Sequence, residues 1–525
     1  MLENRSFDHM LGFADIPGVA PLDPTHDANW TEPPGGGTLI PASPDSDGSI
    51  RVDPSHSHCS VLEQMGVRGP GRSAVAPDNS GFVRNYERQA SGEFDRTGPT
   101  RSWIAIATSI IVIVGLVCAL YRWWLASGIS GLIALVFNWV GRKFFSLPAF
   151  ARGQGPMVMQ CIAPENAPVL VELAREFAVF TNWYCSVPGE TWPNRQFVHS
   201  ATSHGTVNIE FGWYLDTTVF EMLENSGVGS QWHIYFDGPP QVACFRRLLE
   251  PRRLDNWYET VFLFDHIKSD RLPTYSFVEP NHGYLGVCNS QHPANNTKGR
   301  ESFALGEQLI ARIYNTLKEK PEVFRKTAFL ITYDEHGGTY DRQPPPQTVS
   351  PGNYPEARSH GFNFELLGPR VPAVLVSPLI PRNTVRHETY DHSSVPATLR
   401  AMFAPDQQPL TDRDEVAATF ESVFTAPVPR VDDLPEIDEP ATPLQLTKES
   451  PFRRPDALQR SLTRLMEAVQ LQLTLQMQDA ALNEDQATQV HPADEPKTFH
   501  EGKTRAAPGY KALLSHTQDR RREQT

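Results

Sequence analysis

The string Tyr333-Asp334-Glu335-His336-Gly337-Gly338 follows directly on an apolar run at 328–332. Two adjacent carboxylates and an imidazole supply hard oxygen and borderline nitrogen ligands for a divalent cation, and paired glycines let the backbone come close to a ligand. The plain alternative is a strand-end turn with solvated charges. A second string, Tyr390-Asp391-His392-Ser393-Ser394, pairs Asp with His, which suits a metal ligand or an oriented acid/base. There Asp391 or Ser393 is equally a cap for a helix over 395–403. In Thr191-Trp192-Pro193-Asn194-Arg195, with His199 and His204 downstream, a threonine hydroxyl becomes a nucleophile only if a metal or base lowers its pKa. Arg195 there could grip phosphate oxygens bidentately, while a proline turn explains the same string without chemistry. His292, in Gln291-His292-Pro293, reads as a structural or a functional histidine. Glu3 and Asn4 offer two oxygen ligands side by side, or simply an exposed terminus.

These groups need a frame. In open α/β sheets reactive groups gather beyond the carboxyl ends of strands. The apolar, β-branched runs at 274–278, 328–332 and 371–376 predict buried strands of a mostly parallel sheet. Residues 163–180 predict a helix: Pro164 and Glu165 suit its first turn, and Val169, Leu170, Leu173, Ala174 and Phe177 share one face. Leu305, Leu309, Ile313 and Leu317 predict a second helix ending near Lys320-Pro321. Residues 13–100 read as a long loop region with short elements. There is no GxSxG elbow, HExxH, Walker loop or Rossmann fingerprint, which sets aside serine α/β-hydrolases, zincins and nucleotide enzymes.

The 525 residues carry a net charge of -14, which argues against a nucleic-acid partner. Six cysteines show no CxxC pair; buried free thiols or one or two disulfides both fit. Residues 103–121 and 123–141 carry no charge and are parted only by Arg122. The first run is long enough for a membrane span, and a membrane hairpin, a buried hairpin or a gene-model artefact each fits. Catalytic pieces on both sides of this insert rule out a single span. The opening Met1-Leu2-Glu3-Asn4-Arg5 is polar at once, so no signal peptide is expected within the sequence as given. After residue 430 comes a Pro- and Asp-rich stretch, then a helical pattern over 458–473, then a charged tail from about Asn483 expected to be poorly packed.

Taken together, in order, the strings Glu3-Asn4-Arg5-Ser6-Phe7-Asp8-His9, Ser186-Val187-Pro188-Gly189 with Thr191 to Arg195, Gln291-His292-Pro293, Tyr333 to Gly338 and Tyr390 to Ser394 resemble the phosphoesterase family of non-specific phospholipases C and related acid phosphatases. The resemblance implies an alkaline-phosphatase-like α/β/α sandwich with a mostly parallel central sheet, to which this chain adds an apolar helical insert and a C-terminal helical extension. It implies Thr191 as nucleophile, and Glu3, Asn4, Asp334 and Glu335 as holders of a divalent metal ion. His204, His292, His336, Asp391 and His392 would line the pocket, with Asn194 and Arg195 on the substrate.

Three features depart from the family pattern. Only Met1-Leu2 precedes the Glu-Asn motif, where the family has an apolar strand; a fragment or a wrong start fits, and if the chain begins here Glu3 is expected on a frayed terminus. Asp341-Arg342 stands where the family has Asp-His, and the insert at 97–149 is extra. The division that follows is 1–96 and 150–430 as the phosphoesterase domain, 97–149 as insert and 431–525 as extension. The expected activity is phospholipase C cleavage of a glycerophospholipid, in a membrane-associated or secreted protein, with membrane contact through 103–141. An acid phosphatase on soluble monoesters and an inactive membrane-associated protein are the rival readings.

Overall fold

The computed structural model describes residues 1–31, 37–50, 52–67, 76–91, 153–227, 232–293, 297–352, 354, 360–441, 456–477, 496 and 499–524. The apolar runs at 103–141, and the insert that holds them, lie outside these residues. Among the described residues no helix is long and apolar enough to cross a membrane.

The fold is mixed α/β. Strands Trp232–Phe236, Trp257–Glu259 and Tyr275–Glu279 make a parallel sheet with Trp232–Phe236 in the middle. Strands Phe329–Thr332, Ala373–Val376, Ala178–Phe180 and Thr384–Arg386 make a second sheet in that order. The chain start joins the two. Met1 N donates to Val278 O at 3.1 Å, Leu2 N to Thr332 O at 2.8 Å, and Leu2 O accepts from Asp334 N at 3.2 Å. Leu2 is buried in the core, so Glu3 stands on a pinned segment, not the frayed terminus expected from the sequence.

The three expected strands all form, within a residue or two of the expected bounds. Direction differs in part: Tyr275–Glu279 is parallel to its neighbour, whereas Ala373–Val376 runs antiparallel to both of its neighbours, Phe329–Thr332 and Ala178–Phe180, and Thr384–Arg386 is parallel to Ala178–Phe180. A strand buried on both faces is a continuous apolar run whichever way it runs, so the pattern carries no direction.

The helix expected over 163–180 is shorter. It spans Pro168–Glu176, and Phe177 leaves helical geometry at φ -127° and ψ -150°. Ala178–Phe180 then enters the second sheet, where Val179 suits a pleated, buried surface. Helices His58–Gln64 and Phe82–Ala90 stand in the region read as loop. The tail also differs from expectation. Helices Ala457–Met477 and Phe499–Gln524 pack against each other, burying Ala506 and Leu513, and Arg505 pairs with Glu467 at 2.7 Å. Tyr510 then accepts a hydrogen bond from Gly238 N at 3.1 Å, docking the tail on the first sheet. The described cysteines are all free.

Candidate active site

Beyond the carboxyl end of Phe329–Thr332 the chain must turn sharply beside Asn4. Gly337 and Gly338 do so at φ 63° and 68°, and a Cβ on Gly337 would lie 2.2 Å from the Asn4 carbonyl oxygen. Asn4 itself sits at φ 59°, a left-handed conformation that asparagine tolerates better than most residues. Its backbone N–H donates to Asp334 Oδ1 at 3.0 Å. Its side chain spans the site: Oδ1 accepts from Thr191 Oγ1 at 3.4 Å, and Nδ2 lies 3.0 Å from His292 Nε2. Thr191 is the first residue of helix Thr191–Ser200, where unpaired backbone N–H groups favour an anion.

Thr191 opens onto a cleft of about 200 Å³ that Glu3, Glu190, His56, His282 and His292 also line. The first turn of Ala457–Met477 supplies another wall through Asp456, Ala457, Leu458 and Gln459. Glu3 pairs with His282 at 2.9 Å, and His282 bonds Glu279 through its other nitrogen at 3.0 Å. Burial opposes charge on both partners. Even so, the imidazolium holds the Glu3 carboxyl well below the usual range, and Glu3 with Glu279 lifts His282 to about 9. His56 is likewise lifted to about 9: burial pushes it down, but Glu335, Asp53 and Glu190 outweigh that.

Behind Thr191 lies a buried layer of carboxylates. Burial raises Asp334, with Arg195 offsetting and Glu3 adding to the rise; burial also raises Glu335, with His56 offsetting and Asp334 adding. Glu335 Oε1 has no hydrogen-bond partner. Buried, mutually repelling oxygens with one unpartnered acceptor are a donor set whose chemistry fits a hard divalent cation. Among the described residues, however, no three His, Cys, Asp or Glu side chains converge as a ligand set.

The chain belongs to the phosphoesterase family. The family model matches residues 1–404. Non-specific phospholipase C3 of Arabidopsis thaliana is 30% identical over 460 residues, covering 83% of this chain and 75% of the relative. Non-specific phospholipase C1 of the same plant is 36% identical over 462 residues, covering 84% and 72%. Phospholipase C B of Mycobacterium tuberculosis strain H37Rv is 28% identical over 348 residues, covering 58% and 63%. Among solved structures, the lipoteichoic acid synthase LtaP from Listeria monocytogenes overlaps 48% of this chain and 70% of its own at 11% identity and a TM-score of 0.32.

Within this phosphoesterase, several candidate residues face away from the cleft. Arg195 is buried, with Nε on Asp334 Oδ2 at 2.9 Å and Nη2 on the Leu2 carbonyl at 3.1 Å. Its guanidinium braces the buried carboxylate Asp334 and is not among the groups that line the cleft. Asn194 turns its amide onto the Val187 backbone, at 3.1 Å from N and 3.2 Å from O, bracing the loop before Thr191. His392 accepts from Trp183 Nε1 at 3.2 Å, so its Nδ1 is bare and its Nε2–H donates to the Asp334 carbonyl at 2.6 Å. Burial keeps this ring neutral, its pKa down at about 4. Asp391 accepts from Ser393 N at 2.8 Å and pairs with Arg413 at 2.8 Å, while helix Ser394–Phe403 begins after Ser393 with no side-chain cap, so neither Asp391 nor Ser393 caps it.

His336 bonds Gln64 at 2.7 Å, edge-on to Phe82, and burial lowers its pKa to about 3. His204 pairs with Asp216 at 3.2 Å and is not among the residues lining the cleft. Arg342, at the departure from the family pattern, clamps the segment at 20–27 through Asp27 at 3.1 Å and the Pro21 carbonyl at 2.8 Å.

Reasoning from the sequence missed His56, Glu190, Glu279 and His282. His282 had a findable signal, since it follows the strand expected at 274–278. His56 sits in Asp53-Pro54-Ser55-His56-Ser57, a polar string with no periodicity or flanking strand.

Proposed function

We propose that this chain is a phospholipase C on an alkaline-phosphatase-like α/β/α frame, hydrolysing a glycerophospholipid to diacylglycerol and a phosphorylated head group. The observation that carries the reading is Thr191: a hydroxyl at a helix start, in the cleft, 3.4 Å from Asn4 Oδ1 and beside His292 and the Glu3–His282 pair.

In the first step Thr191 Oγ bonds to phosphorus, and the bond from phosphorus to the glycerol oxygen breaks. The threonine proton passes to a cleft base, and the departing alkoxide takes a proton from a cleft imidazole. His292 and the cationic His56 are the imidazoles in place for this. In the second step water attacks phosphorus, restoring the Thr191 hydroxyl and freeing the phosphorylated head group. Glu3, Asn4, Asp334 and Glu335 would hold the divalent cation, which when bound polarises a phosphoryl oxygen and lowers the pKa of the threonine hydroxyl. Arg195, Asn194 and His392 act as positioning residues, keeping Asp334 and the loop before Thr191 in place. A lipid substrate fits a membrane-associated or secreted protein.

The test is turnover of phosphatidylcholine vesicles against p-nitrophenyl phosphate, with and without a chelator. Turnover of the lipid, lost on chelation, supports the proposal. Turnover confined to the monoester makes the chain a phosphatase, and turnover of neither refutes phosphoester hydrolysis by this site.

A further inference from the structure

We propose that two apolar loops at the cleft mouth, 209–215 and 283–288, dock the enzyme on a zwitterionic lipid surface, independently of the apolar insert. The inference rests on the phospholipase reading for its substrate but on separate residues for its contact.

The first loop starts at the nucleophile. Ile209 lines the cleft, and its N–H donates to the carboxylate of Glu190, the residue before Thr191. From there the chain runs Ile209-Glu210-Phe211-Gly212-Trp213-Tyr214-Leu215. Phe211 and Trp213 are half-buried with ring centroids 6.2 Å apart, and Arg464 of the C-terminal extension lies 5.3 Å over Phe211. Leu215 is left 43% exposed. The second loop supplies Gly283 and Cys288 to the cleft. Its sequence, Gly283-Tyr284-Leu285-Gly286-Val287-Cys288, carries no charge, and Val287 is 48% exposed. The first loop thus contributes to the cleft with one end and the second with both, and each carries an exposed aliphatic side chain, Leu215 and Val287.

The occupant follows from the chemistry of the cleft. A phosphodiester at Thr191 has two substituents, and the glycerol side of a lipid diester must leave towards apolar surface. Ile209, Ala457 and Leu458 supply that surface on the walls, and aromatic rings such as Trp213 suit the boundary between water and lipid. Among the described residues no Lys or Arg lines the cleft, whereas Glu3, Asp53, Glu190 and Asp456 do, and the chain carries -14 overall. That charge disfavours an anionic surface and leaves a zwitterionic one.

The test compares wild type, the double variant Leu215→Asp/Val287→Asp, and Val428→Asp, whose parent side chain is exposed elsewhere. Substrates are phosphatidylcholine vesicles and soluble p-nitrophenylphosphorylcholine. The double variant is expected to lose about tenfold or more on vesicles while staying within about twofold on the soluble ester, and Val428→Asp to match wild type on both. Hydrogen exchange of wild type with added vesicles is expected to slow at 209–215 and 283–288. Unchanged vesicle turnover in the double variant, an equal loss in Val428→Asp, or no protection of either loop overturns the docking surface. If the double variant loses the soluble activity too, exchange on wild type decides. If wild type hydrolyses neither ester, the phospholipase reading falls, and exchange still decides whether these loops meet lipid.

Discussion

Arg195→Met separates a positioning role from a substrate-binding one. The methionine keeps much of the aliphatic volume and removes the guanidinium. In the fold that guanidinium bonds Asp334 Oδ2 at 2.9 Å and the Leu2 and Met1 carbonyls at 3.1 and 3.4 Å, all at a buried position. Removing one partner of a buried ion pair leaves an uncompensated charge and costs about 3–5 kcal/mol. The lost bonds to the Leu2 and Met1 carbonyls, about 1 kcal/mol each, fall within that range. Burial and Glu3 already push Asp334 up, and without Arg195 the hydrogen bond from Asn4 N–H is left to oppose them. The deficit is therefore larger at pH 8, where Asp334 must ionise, than at pH 4, where it can stay protonated. Urea unfolding followed by tryptophan fluorescence, with no substrate present, measures it. A loss under about 1 kcal/mol together with a raised KM would refute the clamp and return Arg195 to the phosphate.

Two further outcomes are expected. Glu307 accepts from Val169 N at 2.8 Å and Leu170 N at 3.2 Å, and burial lifts its pKa to about 7, above the ordinary 4.5. A raised folded value means stability that is full below pH 4.5 and is lost as pH rises through 7, roughly 3 kcal/mol in all. Glu307→Gln should flatten that dependence, and thermal midpoints of variant and wild type that stay parallel from pH 4 to 8 would contradict it. Gly337→Ala forces a Cβ into a left-handed residue, at about 1–2 kcal/mol, and against the Asn4 carbonyl 2.2 Å away. Turnover should fall far more than the thermal midpoint, because Asn4 moves before the core does; a variant with wild-type turnover would show that Asn4 need not be held there.

What the sequence revealed follows from what each signal encodes. Adjacent Asp334-Glu335 and the Gly337-Gly338 turn were legible because carboxylates at a strand end and paired glycines are local features. The expectation that Thr191, Asn4 and His292 meet came from the family resemblance, since no local rule joins residues so far apart in the chain. Roles within the layer were not legible: Arg195 and His392 have the chemistry for catalysis, and only the fold shows their polar atoms turned onto Asp334, Leu2 and Trp183. Strand direction was hidden because Ala373–Val376 is buried on both faces. The tail misled because its charge suggested solvent, whereas Ala506 and Leu513 form a narrow buried stripe beneath it.

The most direct test is an acid-quenched, single-turnover reaction on phosphatidylcholine, with the peptides then weighed by mass spectrometry. The account predicts a phosphorylated head group covalently bound to Thr191 in wild type, no adduct in Thr191→Ala, and a fall in that variant's kcat of about 1000-fold or more. An adduct on another residue, or a Thr191→Ala enzyme that retains turnover within about tenfold of wild type, would contradict it.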